Sequence, residues 1–397
     1  MRSPVCLVVM VIVLALGACA PPTGPEPTPV PAPTRPSFQA TAFLDIPGWS
    51  VDSTANALQA LRRSCERLLK APVARQMTDK SVGGRVGDWV PACRALPDSG
   101  AGDARAREYF ETWFQPYRVL LGNQANGLFT GYFEPGLRGS MTPSERFNIP
   151  IYKRPSDLVL VTLGDWREKL RGERIAGRII NGRLKPYYSR AEIEAGALAD
   201  RARPLVWVDD AVAAFFLHIQ GSGRISLPDG GVMRVGYDGH NGHVYRAIGR
   251  DLIEEGAIAK KDISLQSIRA WLGANPERKT EIMNRNPSFI FFREIAGEGP
   301  IGAQGVALTP GRSLAVDPKF LPLGAPVWLE ADYGDESGRP LRRLMVAQDT
   351  GGAIRGAVRG DVFWGHGEVA RALAGPMKAS GRIYLLLPKT LEVDGVK

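Results

Sequence analysis

Apolar residues at Leu58, Leu61, Cys65, Leu68 and Leu69 recur at helical spacing behind Asp52 and Ser53, and predict a capped helix over 53–70. A second helix is predicted over 104–117, closing at the Pro116 turn. The run Gly127-Leu-Phe-Thr-Gly-Tyr-Phe-Glu-Pro135 is aromatic, bounded by Gly and Pro, and reads as a strand. Between 137 and 235, short apolar runs alternate with Gly, Pro and Asp turns. They predict strands at 149–152, 175–180, 204–208, 215–220 and 232–236. Pro228-Asp-Gly-Gly231 is a hairpin signal, and Ser189-Arg-Ala-Glu192 has the form of a capping box opening a helix towards Leu198. Helices return over 242–255, 264–271 and 277–284. From Pro287 the pattern is strand-like to the end, at 289–292, 314–316, 326–330, 344–348, 361–364 and 382–387. Phe289, Phe291 and Phe292 alternate as in a buried strand. No internal repeat is visible. The order of elements predicts a mainly β chain with flanking helices, a small barrel, and a second β unit within or after the first.

The first residues fall outside this pattern. Arg2 precedes an apolar run from Val5 to Leu16, which is shorter than the roughly 20 residues a spanning helix needs and fits the apolar part of a signal peptide. It ends in Leu16-Gly17-Ala18-Cys19, similar to a lipobox, so residues 1–19 read as a lipoprotein signal with Cys19 as the lipidation site. Ala20 follows where an Asp would favour inner-membrane retention, and the expected location is the periplasmic face of the outer membrane. Residues 20–37, rich in Pro, Thr and Ala, read as an extended tether.

The net charge of +9 is scattered, and an exported chain has no access to nucleic acid, so the charge fits an anionic wall polymer instead. Of four cysteines, Cys6 leaves with the signal and Cys19 takes the lipid. An oxidising compartment then predicts a Cys65–Cys93 disulfide. The histidines His218, His240, His243 and His366 lack the helical pairing of a zinc protease; His240-Asn-Gly-His243 reads as a polar turn or glycan contact, and no metal site is expected.

Candidate chemistry gathers near the C-terminus. Asp317, Asp349 and Asp361 each abut an apolar strand, and Asp349 leads into Thr350-Gly351-Gly352. A carboxyl at a strand end beside glycine sits at the rim of a packed scaffold, where a ligand can approach. To protonate a glycosidic oxygen it must stay neutral near neutral pH, which burial or a like charge achieves. Asp361, before Val-Phe-Trp, has the more apolar surroundings. Asp349 is the candidate partner that orients it.

Gln348-Asp349-Thr-Gly-Gly-Ala-Ile-Arg355 followed by Asp361 resembles the "three aspartate" barrel of the membrane-bound lytic transglycosylase A family. Thr130-Gly-Tyr-Phe-Glu-Pro135, Ile219-Gln-Gly-Ser-Gly-Arg224, Asn286-Pro-Ser-Phe-Ile-Phe-Phe292 and Asp317 in Ala-Val-Asp-Pro match it in the same order. The resemblance implies a double-psi β-barrel built from 38–136 and 236–390, with the three-aspartate segment at 310–388. A smaller β domain, 137–235, would be inserted, with a glycan groove between the two. It implies cleavage of peptidoglycan strands without water or cofactor: Asp361 as sole acid and base, Asp349 and Asp317 in support. Thr130, Tyr132, Gln220, Ser222, Gly223, Gln348, Gly351, Gly352 and Trp364 are the expected sugar contacts, and other cell-wall enzymes are candidate partners. The family often has His-Phe before the catalytic Asp, where this chain has Arg359-Gly360. A hydrolytic glycosidase using Asp361 and Asp349, or a non-catalytic peptidoglycan-binding lipoprotein, are the alternatives.

Overall fold

The computed structural model describes residues 36–391 apart from 79–81, 171–172, 298 and 334–339. The signal, Cys19 and all but the last two residues of the tether lie outside the described residues. Pro36 and Ser37 are strand, not tether: Pro36–Ala40 pairs antiparallel with Phe114–Leu121.

Six strands close into a barrel. Around it run Gly127–Glu134, Lys378–Pro388, Pro326–Asp332, Pro340–Asp349, Ser313–Val316 and Arg359–His366, the last pairing back to Gly127–Glu134. Two pairings are parallel, Ser313–Val316 with Pro340–Asp349 and Arg359–His366 with Gly127–Glu134. Closure removes every free edge among these strands. Phe114–Leu121 was expected to begin as helix. The helix instead stops at Trp113, and the chain continues as a strand on Lys378–Pro388 with Phe114, Pro116, Tyr117 and Val119 buried.

Helices Ala55–Leu68, Val86–Arg94 and Asp103–Trp113 cover one side of the barrel and share its core, where Trp49, Trp89, Phe110 and Trp328 are buried. Cys65 and Cys93 are bonded, stapling the first two helices together. Between helix and barrel lies a buried polar cluster. Gln348 donates to the Ala60 carbonyl and the Ser64 hydroxyl, Ser64 donates to Gln304, and Ser313 donates to Gln348. Gln348, Ser64 and Ser313 are all bonded there, so the contact is specific as well as apolar.

The second sheet runs Ile290–Glu294, Val232–His240, Ser222–Ser226, Gly136–Ser140, Pro204–Val208 and Ile149–Tyr152. It reaches past the boundary expected at 235, because Val235 to His240 pair with Ile290–Glu294. The Pro228–Gly231 hairpin and the Ser189 capping box are both present. Residues 215–220, expected as strand, lie in a helix, Ala211–Gln220. Asp210 caps it by accepting from the Val212 and Ala213 amides, and Gly221 (φ 75°) ends it. Its continuous apolar run is buried on both sides, by the sheet and by helices Ile248–Glu254 and Leu265–Ala274, so helical and strand patterns cannot be told apart there. Residues 242–247, expected as helix, are not helical, and the helix Gly367–Ala374 interrupts the strand-rich C-terminal part. Phe289, Phe291 and Phe292 are buried core residues. The two sheets are joined by an ion pair between Glu134, at the end of a barrel strand, and Arg234, both nearly sealed from solvent.

Candidate active site

The register of the barrel assembles the site. Asp361 pairs across to Thr130 on one side and to Ala315 on the other, and Ala315 pairs with Asp349. One rung therefore reads Asp349, Ala315, Asp361, Thr130, with the carboxyl-bearing residues two strands apart, about 9–10 Å between their Cα atoms. Ala315 between them is a methyl group, which leaves the space over the rung to the carboxyls.

The Thr130 hydroxyl donates to Oδ1 of Asp361 at 2.8 Å, and the Arg359 guanidinium donates to Thr130 Oγ1 at 2.9 Å. Oδ2 of Asp361 has no hydrogen-bond partner among the described residues. Burial pushes the Asp361 carboxyl up to about 6; Arg359 and the Thr130 bond pull it down, and the charge of Asp349 adds a smaller upward push. Asp349 differs in that both oxygens are engaged. Tyr132 donates to Oδ2 at 2.7 Å and the Ala303 amide to Oδ1 at 2.9 Å. Burial raises its carboxyl, against those bonds and one from the Thr350 amide. Burial and both carboxylates raise the Tyr132 hydroxyl well above its ordinary range, so it stays a donor, with its ring against Phe363 at 5.3 Å.

Asp317 is buried outside this rung. Its oxygens accept from the Lys319 and Gly356 amides, tying down the far end of the glycine loop that follows Asp349. Gly351 and Gly352 lie in that loop, and a Cβ at Gly352 would stand 3.7 Å from Tyr245. Gln220 ends its helix beside the Gly127–Glu134 strand, accepting from the Phe133 amide at 3.4 Å. Ser222 follows it, half-buried, with no side-chain partner among the described residues. Gly223 is a packing position: a Cβ there would meet Leu217 at 2.5 Å.

Two expected sugar contacts are corrected by these positions. Gln348 is fully buried and its bonding capacity is spent on Ala60, Ser64 and Ser313. Strand alternation sends its side chain to the opposite face from Asp349. Trp364 packs with Tyr333 and Arg343, beneath Gly131, because it too alternates away from Asp361 and Phe363. Arg359 is the neighbour that sequence reasoning passed over, although its position two residues before Asp361 puts it on the same strand face. His240 and His243 make turn contacts, with the Gly242 amide and the Tyr187 carbonyl. Among the described residues, no group of three His, Cys, Asp or Glu side chains could hold a metal ion.

A closed β-barrel bearing a carboxyl raised by desolvation, beside a second, fully bonded carboxyl, is an arrangement suited to acid–base chemistry. Residues 128–293 match the model described as the MltA specific insert domain and residues 312–387 that of the 3D domain. Membrane-bound lytic murein transglycosylase A of Escherichia coli is 35% identical over 270 residues, 66% of this chain and 66% of that protein's length. A membrane-bound lytic murein transglycosylase from Agrobacterium tumefaciens superposes with a TM-score of 0.80 at 34% identity, covering 89% of this chain and 98% of the other. The E. coli protein with bound chitohexaose gives a TM-score of 0.63 at 28% identity, covering 89% and 95%. The chain belongs to the membrane-bound lytic murein transglycosylase A family.

Proposed function

We propose that the chain is a lytic murein transglycosylase that cleaves the β-1,4 bond between N-acetylmuramic acid and N-acetylglucosamine in peptidoglycan, leaving 1,6-anhydromuramic acid ends. The observation that carries this reading is the Asp361 carboxyl: half-buried, pushed up to about 6 by desolvation, bonded through one oxygen and open at the other. Neutral Asp361 protonates the leaving oxygen from Oδ2 as positive charge develops at C1. The resulting carboxylate takes the proton of the muramyl C6 hydroxyl, whose oxygen bonds to C1 as the C1–O4 bond breaks. One carboxyl serves both steps because the nucleophile belongs to the substrate.

The state of Asp349 argues against a hydrolase. An inverting enzyme needs a second carboxylate free to activate water, and a retaining one needs it free to attack C1. Both oxygens of Asp349 are held by Tyr132 and Ala303, which suits a fixed support for the site. The oligosaccharide bound to the E. coli relative supports a glycan substrate, with Thr130, Tyr132, Gln220, Ser222, Gly351 and Gly352 as the contacts. Asp317 supports the site by anchoring the glycine loop. The closed six-strand barrel, with two parallel pairings, supports the double-psi description. The second sheet supports an inserted domain. The relatives' membrane-bound names support membrane association, and the sequence around Cys19 supports a lipid anchor on the outer membrane. Among the described residues no helix is long and apolar enough to cross a membrane.

Mass analysis of muropeptides released from sacculi is the test. The wild type should release anhydro products and Asp361→Asn essentially none. Reducing-end muramic acid from the wild type would replace the reading with a hydrolase, and wild-type inactivity with retained sacculus binding would replace it with a binding protein.

A further inference from the structure

We propose that Arg359 is a positioning residue which, acting through the Thr130 hydroxyl, fixes which oxygen of Asp361 carries the acid proton. The inference rests on the reading of Asp361 as acid and base. Arginine has donors only, so the 2.9 Å contact between Arg359 Nη2 and Thr130 makes Thr130 Oγ1 the acceptor. Thr130 has a single hydrogen, and its 2.8 Å contact with Asp361 Oδ1 gives that hydrogen a direction. With a guanidinium already bonded at Oγ1, a proton on Oδ1 pointing back at it would oppose both the charge and the bond. Oδ1 is therefore kept as an acceptor, and the proton of neutral Asp361 resides on Oδ2, the oxygen with no protein partner among the described residues. An acid whose proton could sit on either oxygen would spend part of its time with the proton turned into the barrel. Without the arginine, Thr130 could rotate and accept from Asp361, stabilising that unproductive form.

The guanidinium is itself held. Arg359 Nη1 donates to the Leu128 carbonyl at 3.2 Å and to the Gly360 carbonyl, so both ends of the fork are anchored on the two strands that carry Thr130 and Asp361. A lysine could supply the charge but only one point of attachment. Arg359 is the cation closest to Asp361 in chain and bonding. The other groups facing the carboxyl are Tyr132 on Gly127–Glu134 and Asp349 on Pro340–Asp349. Ser313–Val316 contributes only Ala315, and Lys378 pairs with Thr130 from the far side but is exposed.

The test is kcat and KM against pH on purified sacculi for the full-length wild type, Arg359→Gln, Arg359→Lys, Thr130→Val and the Arg359→Gln/Thr130→Val double variant. Near-UV circular dichroism serves as the folding check. Arg359→Gln should lower kcat about tenfold with KM little changed, a fraction of what general acid–base catalysis supplies. Its alkaline limb should move up by about one pH unit, as expected when an adjacent cation is lost. Arg359→Lys should restore the limb but only part of kcat. The double variant should be no slower than Thr130→Val alone, since both act through one bond. Independent, multiplying losses would overturn the relay, as would a limb that stays put. An effect confined to KM would instead make Arg359 a substrate contact. If Arg359→Gln does not fold, Arg359→Lys and Thr130→Val decide the same question: equal kcat in Arg359→Lys and wild type would sink it. Full activity in Asp361→Asn, measured alongside, would strike the acid–base reading itself and not the relay alone.

Discussion

Replacing Asp361 by Asn should inactivate the enzyme and stabilise it, and the stabilisation should depend on pH in a direction the structure sets. Burial lifts this carboxyl from 3.8 to about 6, so the folded state holds its proton where the unfolded chain has released it. The unfolded state then binds fewer protons than the folded one between those values, and stability falls as pH rises through that window. Two units correspond to about 3 kcal/mol, fully expressed above pH 6 and nearly absent at pH 4. Solvent reaching the half-buried carboxyl reduces this to about 2 kcal/mol. Asn keeps the oxygen that accepts from Thr130 and carries no charge, so it removes the penalty without removing the bond. With an unfolding entropy of about 2.1 cal/mol/K per residue, the midpoint for a chain of this length should rise by about 2.4 °C at pH 8 and by well under 1 °C at pH 4. Thermal denaturation of the full-length wild type and Asp361→Asn at the two pH values, beside a lysis assay, reads both effects. An equal gain at pH 4 and pH 8, or a loss at pH 8, would refute the claim that the carboxyl at this position is raised by burial. A site strained for function in this way is a common source of the trade-off between activity and stability.

Other expectations concern the surroundings. Asp349→Asn removes the like charge that helps raise Asp361, so the alkaline limb of kcat/KM on sacculi should move down by a few tenths of a unit, opposite in sign to Arg359→Gln. Cys65→Ala should lower stability by about 3.5 kcal/mol in denaturant unfolding, the chain-entropy value for a closed loop with a separation of 28 residues, and reductant should match it in the wild type. Gln348→Leu should destabilise by about 2 kcal/mol, because it leaves the buried Ser313 hydroxyl without its acceptor, while KM on sacculi stays the same. A rise in KM without loss of stability would return Gln348 to the sugar contacts. Arg234→Met should cost about 3–5 kcal/mol by leaving Glu134 buried and unpaired between the two sheets, read as a lower unfolding midpoint in urea.

The sequence by itself determined a good deal. The helix behind Asp52, the hairpin at 228–231 and the capping box at Ser189 are legible because each is stabilised by contacts a few residues apart, and the strand at 127–134 because its aromatic run is bounded by Gly and Pro. The pairing of Cys65 with Cys93 followed from counting, and the weight on Asp361 from its apolar flank and the matching motifs. Residues 215–220 carry a strand-like pattern yet lie in a helix, because a segment buried on every side loses the polar face by which period is recognised. Gln348 and Trp364 were misplaced because a motif lists neighbours in sequence, whereas a strand sends alternate residues to opposite faces. Only the tertiary structure decided the rung Asp349, Ala315, Asp361, Thr130, whose members come from four strands spread over more than two hundred residues. Barrel closure and register create that proximity, and with it the burial and hydrogen bonds that separate Asp361, with one oxygen open, from Asp349, with both oxygens held.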